Sequence, residues 1–477
     1  MSVRFVWSLR LASRSSNVCV PLGKFARLFP ALKRISAVTY SHHLDSFEPE
    51  AVAAWNAAAS EERTIDVAWW FQRGIAARSN VRLRFCEGQL IEHSSVPEAD
   101  RNRVLPLGIV PPLVNAHTHL EFSTLTEPIA PPTPFPDWIQ SVIQWRLNSP
   151  GASQNGVQRG LNECRQHGVT TIGEITTSDD AALLLQTFAN ASQKSDDLTH
   201  IVSFRELLGF LPEQIPEQVA TMNRHIERLG NASGLSTVRP AISPHSPYSV
   251  HPELFAAVVD ICRPRSIAVA MHLGETKEEL ELLDAGSGEF KNFLQQMDLW
   301  NPEVLRPGTT ILPYLQQLST LPRSLAVHCN YLTDREIRFL GENPQIAVVY
   351  CPRTHHYFGH DLHPWQKIQD AGGTVVLGTD GRSSNPDLSI WKELQHVATS
   401  SPQAAVDKLL PMCTTSSVVD SVMDCDDDVN PEVPYRAVVV RLPKESLGSE
   451  SCLLSPHSAP VGRIMTSESQ LHLATFS

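Results

Sequence analysis

Short apolar runs recur down this chain, and several stop abruptly at a residue able to bind a metal or move a proton. Residues 108–116 are largely apolar and lead into His117-Thr118-His119. Residues 266–271 lead into His272, with Glu275 three positions on. Residues 324–327 lead into His328, and residues 374–379 into Asp380. Runs of this length and β-branched content predict strands. Helical patterns fall between them: residues 156–167 precede a strand at 168–174, residues 251–259 open with Pro252 in the first turn, and residues 364–371 form a short helix before the Asp380 strand. A further strand at 201–205 ends at Glu206. Alternating strands and helices predict βα units and a parallel sheet.

Outside that region the pattern changes. Residues 49–63 are Ala-rich and predict a helix, and 81–85 and 89–92 predict a hairpin around Glu87-Gly88. Residues 435–442 and 462–465 are strand-like. The α/β expectation is therefore a (β/α)8 barrel, with strand-like segments outside it towards both ends of the chain. The expected boundaries are a leader over 1–45, flanking β-structure over 46–106, a barrel over 107–415 and the rest of the β-domain over 416–477.

Polar residues at successive strand exits suit such a barrel, whose reactive groups gather at the C-terminal rim. His117 and His119 are one residue apart, so on a strand they share a face and can grip one divalent ion. An HxH tripeptide also arises by chance in a chain with 19 histidines. Any one of these residues could merely cap a strand; the series argues for a site. Glu275 could be an early-helix acid favoured by the helix dipole, and His245 could simply hold a proline-rich turn. Glu174 and Glu206 suit either the rim or a structural hydrogen bond. The histidines of residues 354–363 read as solvated loop residues, none of them a zinc ligand.

Composition narrows the function classes. Among 477 residues, 39 Lys and Arg stand against 51 Asp and Glu, giving a net charge of −12. This excludes a general nucleic-acid binder, which carries a basic excess. The nine cysteines form no CxxC pair, as expected of reduced thiols in a cytoplasmic enzyme. Cys329 and Cys351 read as packing residues. No apolar run reaches the roughly 18 residues of a membrane span. The first forty-four residues are basic and serine-rich, with Asp45 the first acid, which fits a targeting segment, a disordered leader or upstream sequence translated from an early start codon. Asp424-Cys425-Asp426-Asp427-Asp428 reads as a solvated loop without EF-hand spacing.

The ordered motifs His117-Thr118-His119, His272-Leu273-Gly274-Glu275, His328-Cys329 and Gly378-Thr379-Asp380 resemble the amidohydrolase superfamily. Its mononuclear-zinc branch of deaminases and chlorohydrolases is the nearer likeness. The run from Gly378 to Asn385 extends the resemblance, and Ser243-Pro244-His245-Ser246-Pro247-Tyr248 is similar to the loop after strand four in S-adenosylhomocysteine and related deaminases. Glu121-Phe122-Ser123 with Asp137-Trp138-Ile139 resembles aminodeoxyfutalosine-deaminase-like members. The resemblance implies a TIM barrel with a small flanking β-sandwich. It implies His117, His119, His272 and Asp380 as ligands of one zinc, with iron, manganese or cobalt also suited to three imidazoles and a carboxylate. Asp380 would also accept a proton from the metal's water, Glu275 would carry a proton to a ring nitrogen, and His328 would orient the water. His245, Trp138 and Glu121 would contact substrate. The expected activity is deamination of an adenine nucleoside-like or other heteroaromatic amine. Hydrolysis of a triazine, guanine or amide-type bond at the same centre is the alternative, and a non-catalytic metal-binding barrel a third reading. The expected partner is a small molecule, without nucleic acid or membrane, and the resemblance allows a homo-oligomer.

Overall fold

The computed structural model describes residues 41–57, 62–72, 75–86, 89–149, 151–192, 199–230, 238–415, 436–467 and 470–476. Most of the basic leader, the Glu87-Gly88 turn and the acidic loop at 424–428 lie outside these residues.

Strands β1 (Ser41–His43), β2 (Glu62–Gln72), β3 (Ile75–Cys86), β4 (Gln89–Ser95) and β5 (Leu105–Val110) precede the barrel. Its strands are β6 (Leu113–His119), β7 (Val169–Thr176), β8 (His200–Leu207), β9 (Val238–Pro244), β10 (Val269–Leu273), β11 (Ser324–His328), β12 (Ile346–Tyr350), β13 (Thr374–Leu377) and β14 (Asp380–Gly381). Strands β15 (Arg436–Arg441), β16 (Ala459–Ser467) and β17 (Gln470–Thr475) follow.

From β6 to β13 each strand pairs in parallel with the next, as connecting helices require. β13 and β14 are halves of one interrupted strand: β13 pairs with β12, whereas β14 pairs with β6 and closes the barrel. At the interruption the Gly378 N–H donates to Tyr350 and the Thr379 N–H to His117, at 3.0 and 3.1 Å. A Cβ on Gly378 would lie 2.9 Å from the His117 carbonyl oxygen, so this close crossing requires glycine. Buried Asn115 adds a side-chain clip, its Nδ2 donating to Thr379 Oγ1 at 2.7 Å.

Val114, Ile175, Phe204, Ala241, Ala270, Val327, Val349 and Val376 form an apolar plug from every barrel strand, with larger residues packing outward against the helices. Above this plug, two strands change which face they present. Val114 and Ala116 point into the plug, so strict alternation would turn His117 and His119 outward. The β6–β7 register shifts between Asn115 and Thr118, and the histidines face inward instead. On β11, Leu325 and Val327 fill the plug and His328 follows with φ +67°, a left-handed turn that redirects its side chain.

The two chain ends meet as expected, but in one hydrogen-bonded sheet rather than two separate ones: β17-β16-β15-β5-β2-β3-β4, with β1 on the free end of β2. It wraps a core of its own that includes Trp55, Trp70, Phe85 and Val439. β5 pairs with both β2 and β15, so residues 105–110 belong to the flanking sheet, and the barrel sheet begins with β6. The N-terminal helix is also shorter than expected. It spans Pro49–Ala57, and Arg63 stands in β2 facing Phe85 across the ladder. No helix of the described residues is long and apolar enough to cross a membrane.

Candidate metal and catalytic centre

The residues singled out at strand ends converge at the C-terminal mouth of the barrel. Potential ligand atoms of His117, His119 and Asp380 lie within 4.8 Å of one another, as do those of His117, His272 and His328. Nε2 of His117 and of His119 stand 3.7 and 3.6 Å from Asp380 Oδ1. Ser384 Oγ donates to the other carboxylate oxygen at 3.0 Å, leaving Oδ1 towards the histidines.

This donor set fits a divalent metal on three grounds. Nε2 of His117, which faces Asp380 Oδ1, is buried without a hydrogen-bond partner, which is costly unless something binds there. His272 Nδ1 lies 3.0 Å from the His245 carbonyl, so it donates there and leaves Nε2 free. Burial, chiefly, holds His119 down to about 4 and keeps His272 and His328 well below the usual imidazole range. These rings are therefore neutral and available as ligands. Burial pushes the Asp380 carboxyl up, but the facing imidazoles of His117 and His119 outweigh it and hold Asp380 below its ordinary range.

Glu275 stands beside the cluster, with Oε1 3.4 Å from His328 Nε2. Burial, then the nearby carboxylates of Asp380 and Glu279, raise its carboxyl well above the usual range. The short turn that carries it is fixed from below. Buried Glu279 accepts the N–H groups of Gly274 and Glu275 at 3.0 and 2.8 Å, and Asn330 Nδ2 donates to the Glu275 carbonyl at 2.9 Å. Gly274, His328, Cys329 and Asp380 all have left-handed backbones, a concentration of strain typical of functional sites.

A cavity of about 300 Å³ opens over His119, His272, Glu275, His328 and Asp380. His245 and Trp138 line it. Nδ1 of His245 is held by Ser249 and Ser246 at 2.7 and 2.9 Å, and Trp138 packs on Phe135 and edge-on against Phe358. Glu121 departs from its expected role. It is buried outside the cavity lining, where it ion-pairs with Arg146 and accepts from Ser153. It therefore positions Arg146, which does line the cavity.

Arg146 was not legible as a site residue, although a signal existed. Phe135, Trp138, Ile139, Val142 and Arg146 recur at helical spacing, and the helix Phe135–Asn148 turns that face to the cavity. Of the two carboxylates left open, Glu174 is structural, accepting the Leu120 N–H, whereas Glu206 lines the cavity. The histidine-rich segment is not a solvated loop: Pro352–Tyr357 is helical and His355 and His363 are buried. His363 Nε2 lies 2.9 Å from the carbonyl of His328 and so supports that residue's turn. Cys329 and Cys351 are buried and burial pushes both thiols well up, consistent with packing.

The amidohydrolase family profile matches residues 109–417, the span that carries every one of these side chains. The chain belongs to the amidohydrolase family. Among similar family members, it is 28% identical over 293 residues to the 5'-deoxyadenosine deaminase of Methanothrix thermoacetophila, covering 61% of this chain and 62% of that one. It is also 28% identical over 295 residues to the aminodeoxyfutalosine deaminase of Deinococcus radiodurans, covering 60% and 66%. The chain thus matches slightly less than two thirds of the length of either relative. A crystal structure of a zinc-bound adenosine deaminase from Xanthomonas campestris shares the fold, with TM-score 0.62, 18% identity, and 87% and 91% of the two chains covered.

Proposed function

We propose that this amidohydrolase is a metal-dependent aminohydrolase that removes the exocyclic amine of an adenine nucleoside-like substrate. The observation that carries this reading is the approach of Glu275 Oε1 to His328 Nε2, 3.4 Å, on the floor of the cavity that His119, His272 and Asp380 also line. His117, His119, His272 and Asp380 would hold the ion, and zinc suits that donor set best. When bound there, a divalent ion supplies Lewis acidity and a water of lowered pKa.

The chain's own residues do the rest. Glu275, whose carboxyl burial raises well above its ordinary range, can hand a proton to a ring nitrogen as the amine-bearing carbon becomes tetrahedral. His328, a neutral imidazole whose Nε2 faces Glu275, hydrogen-bonds the charge that develops. Asp380, held ionised, accepts a proton from the attacking water, whose oxygen bonds the ring carbon as the C–N bond breaks, and can pass that proton to the departing amine, which leaves as ammonia. The buried walls around Trp138 and Phe135 limit bulk water over the ring. The deaminase names of the two relatives and the zinc of the structural neighbour support the same reading. All the described cysteines are free, which supports a reducing compartment such as the cytoplasm.

Ammonia release by the zinc-loaded protein, assayed across adenine nucleosides, guanine and triazines, tests the proposal. Release from an adenine nucleoside is expected. Release only from guanine or a triazine, or none at all with metal bound, would contradict it.

A further inference from the structure

The histidine-rich segment after β12 takes no part in the mechanism above, yet it touches that machinery in two places. One contact grips the turn at the end of β11. Buried His363 donates from Nε2 to the His328 carbonyl at 2.9 Å. Among the described residues its Nδ1 has no hydrogen-bond partner, so this bond is the polar anchor of the ring. The flat face stacks on Tyr350, with centroids 3.9 Å apart and planes 17° from parallel.

The bond matters because of the backbone that it holds. His328 and Cys329 both have left-handed backbones, with φ +67° and +52°, a conformation disfavoured wherever a side chain is present. The peptide unit between them is pinned at both ends: the Cys329 N–H donates to the Leu273 carbonyl at 2.9 Å, and the His328 carbonyl accepts from His363. Without the second pin that unit is free to tilt. A tilt carries the His328 imidazole out of line with Glu275, now 3.4 Å away.

The other contact is with the cavity wall. Buried Phe358 meets Trp138 edge-on at 5.0 Å and Phe135 at 5.1 Å. The Trp138 indole N–H is buried without a hydrogen-bond partner among the described residues, so ring packing aims this lining side chain. Between the two contacts, His360 Nδ1 hydrogen-bonds the Tyr331 hydroxyl at 3.1 Å and fastens the segment to the loop after β11. Neither His363 nor Phe358 lines the cavity, so each can act only through the residue that it holds.

We infer that this segment is a strap with two separable tasks: His363 positions His328 for the chemical step, and Phe358 positions Trp138 for substrate binding. The inference rests on the proposed roles of His328 and of the cavity. Loss of the first contact belongs in kcat, and loss of the second in KM.

The test is steady-state ammonia release from the best nucleoside by the zinc-loaded full chain. His363→Phe keeps a ring on Tyr350 but has no N–H to give, whereas His363→Gln gives an N–H without the ring. The Phe variant should lose about tenfold or more in kcat with KM within about twofold, and the Gln variant should recover most of that loss. In a His328→Ala background, His363→Phe should cost nothing further, because the group it positions is gone. Phe358→Leu should raise KM by about fivefold or more, with kcat within about threefold of wild type. His363→Leu carries the same comparison if the Phe variant does not accumulate. Crystal structures of the variants read the separation of Glu275 Oε1 from His328 Nε2 without turnover, and the Phe variant should widen it by about 1 Å or more. An unchanged kcat in His363→Phe, an equal loss in both His363 variants, a further tenfold loss in the His328→Ala background, or an unchanged KM in Phe358→Leu overturns the inference. If no nucleoside is deaminated, the deaminase reading fails, and the crystallographic separation alone decides the role of His363.

Discussion

Oε1 of Glu275 stands 3.4 Å from Nε2 of His328, although the two residues leave different barrel strands and lie 53 positions apart. Neither is exposed, and each reaches the other from a fixed turn: Glu279 holds the backbone of Glu275, and His363 holds the carbonyl of His328. His328→Gln should therefore lower kcat by about a hundredfold or more. Bound metal should stay near one per chain, because His117, His119, His272 and Asp380 remain. Metal analysis alongside steady-state kinetics checks both; a variant that keeps wild-type kcat would remove His328 from the chemistry.

Metal removal should have two effects. Chelation should abolish turnover, and it should lower the melting temperature, since an ion bound only to the folded state stabilises it by mass action. His117→Ala should do the same without a chelator, because His117 belongs to both ligand groups. Restoration of activity and melting temperature by added zinc in wild type, but not in the variant, is the expected pattern.

The sequence carried more of the site than of its orientation. His272 was legible because its strand keeps alternation, with Ala270 in the plug and His272 two places on along the same face; Asp380 follows the break between β13 and β14 with a left-handed backbone and was legible as chemistry only. His117, His119 and His328 were legible as chemistry, but periodicity alone would have turned them outward. Their inward aim depends on a register shift in β6 and a left-handed residue at the end of β11, neither of which leaves a mark in hydropathy. The flanking domain was recognisable as strands from both ends. Its single sheet was not, because pairing of β5 with β15 joins residues more than 300 positions apart. The place of Glu121 depends on a neighbour in space, Arg146 on the following helix, whose ion pair holds the carboxylate outside the cavity lining.

The loop after the interrupted strand depends on a buried ion network. Arg353 donates to Glu393 at 2.7 Å and to Asp387 at 2.8 Å, and Asn385 Nδ2 donates to Glu393 at 2.7 Å. Arg353→Met leaves the Glu393 carboxylate buried and without its cation, which should cost about 3–5 kcal/mol. Denaturant unfolding should show that loss. Arg353→Met paired with Glu393→Leu should recover part of it, whereas unchanged single-variant stability would show the network to be dispensable.

Stability should also fall in mild acid. His225 is buried far from the metal cluster, with Nε2 2.9 Å from the Ser203 carbonyl, and burial lowers its imidazole from 6.5 to about 4. The unfolded chain therefore binds a proton that the folded chain refuses. This contribution is fully present above pH 6.5 and is lost as pH falls towards 4, up to about 3 kcal/mol. The denaturation midpoint of wild type should drop across that window, and His225→Gln should flatten the slope.

The most direct test of the account is Glu275→Gln. The substitution keeps size and hydrogen bonding but removes the transferable proton, and Glu275 is not among the proposed ligands. The variant should bind one equivalent of metal, keep its melting temperature within a degree or two, and lose ammonia release from the best nucleoside by a factor of about a thousand or more. Full metal content with wild-type turnover would contradict it.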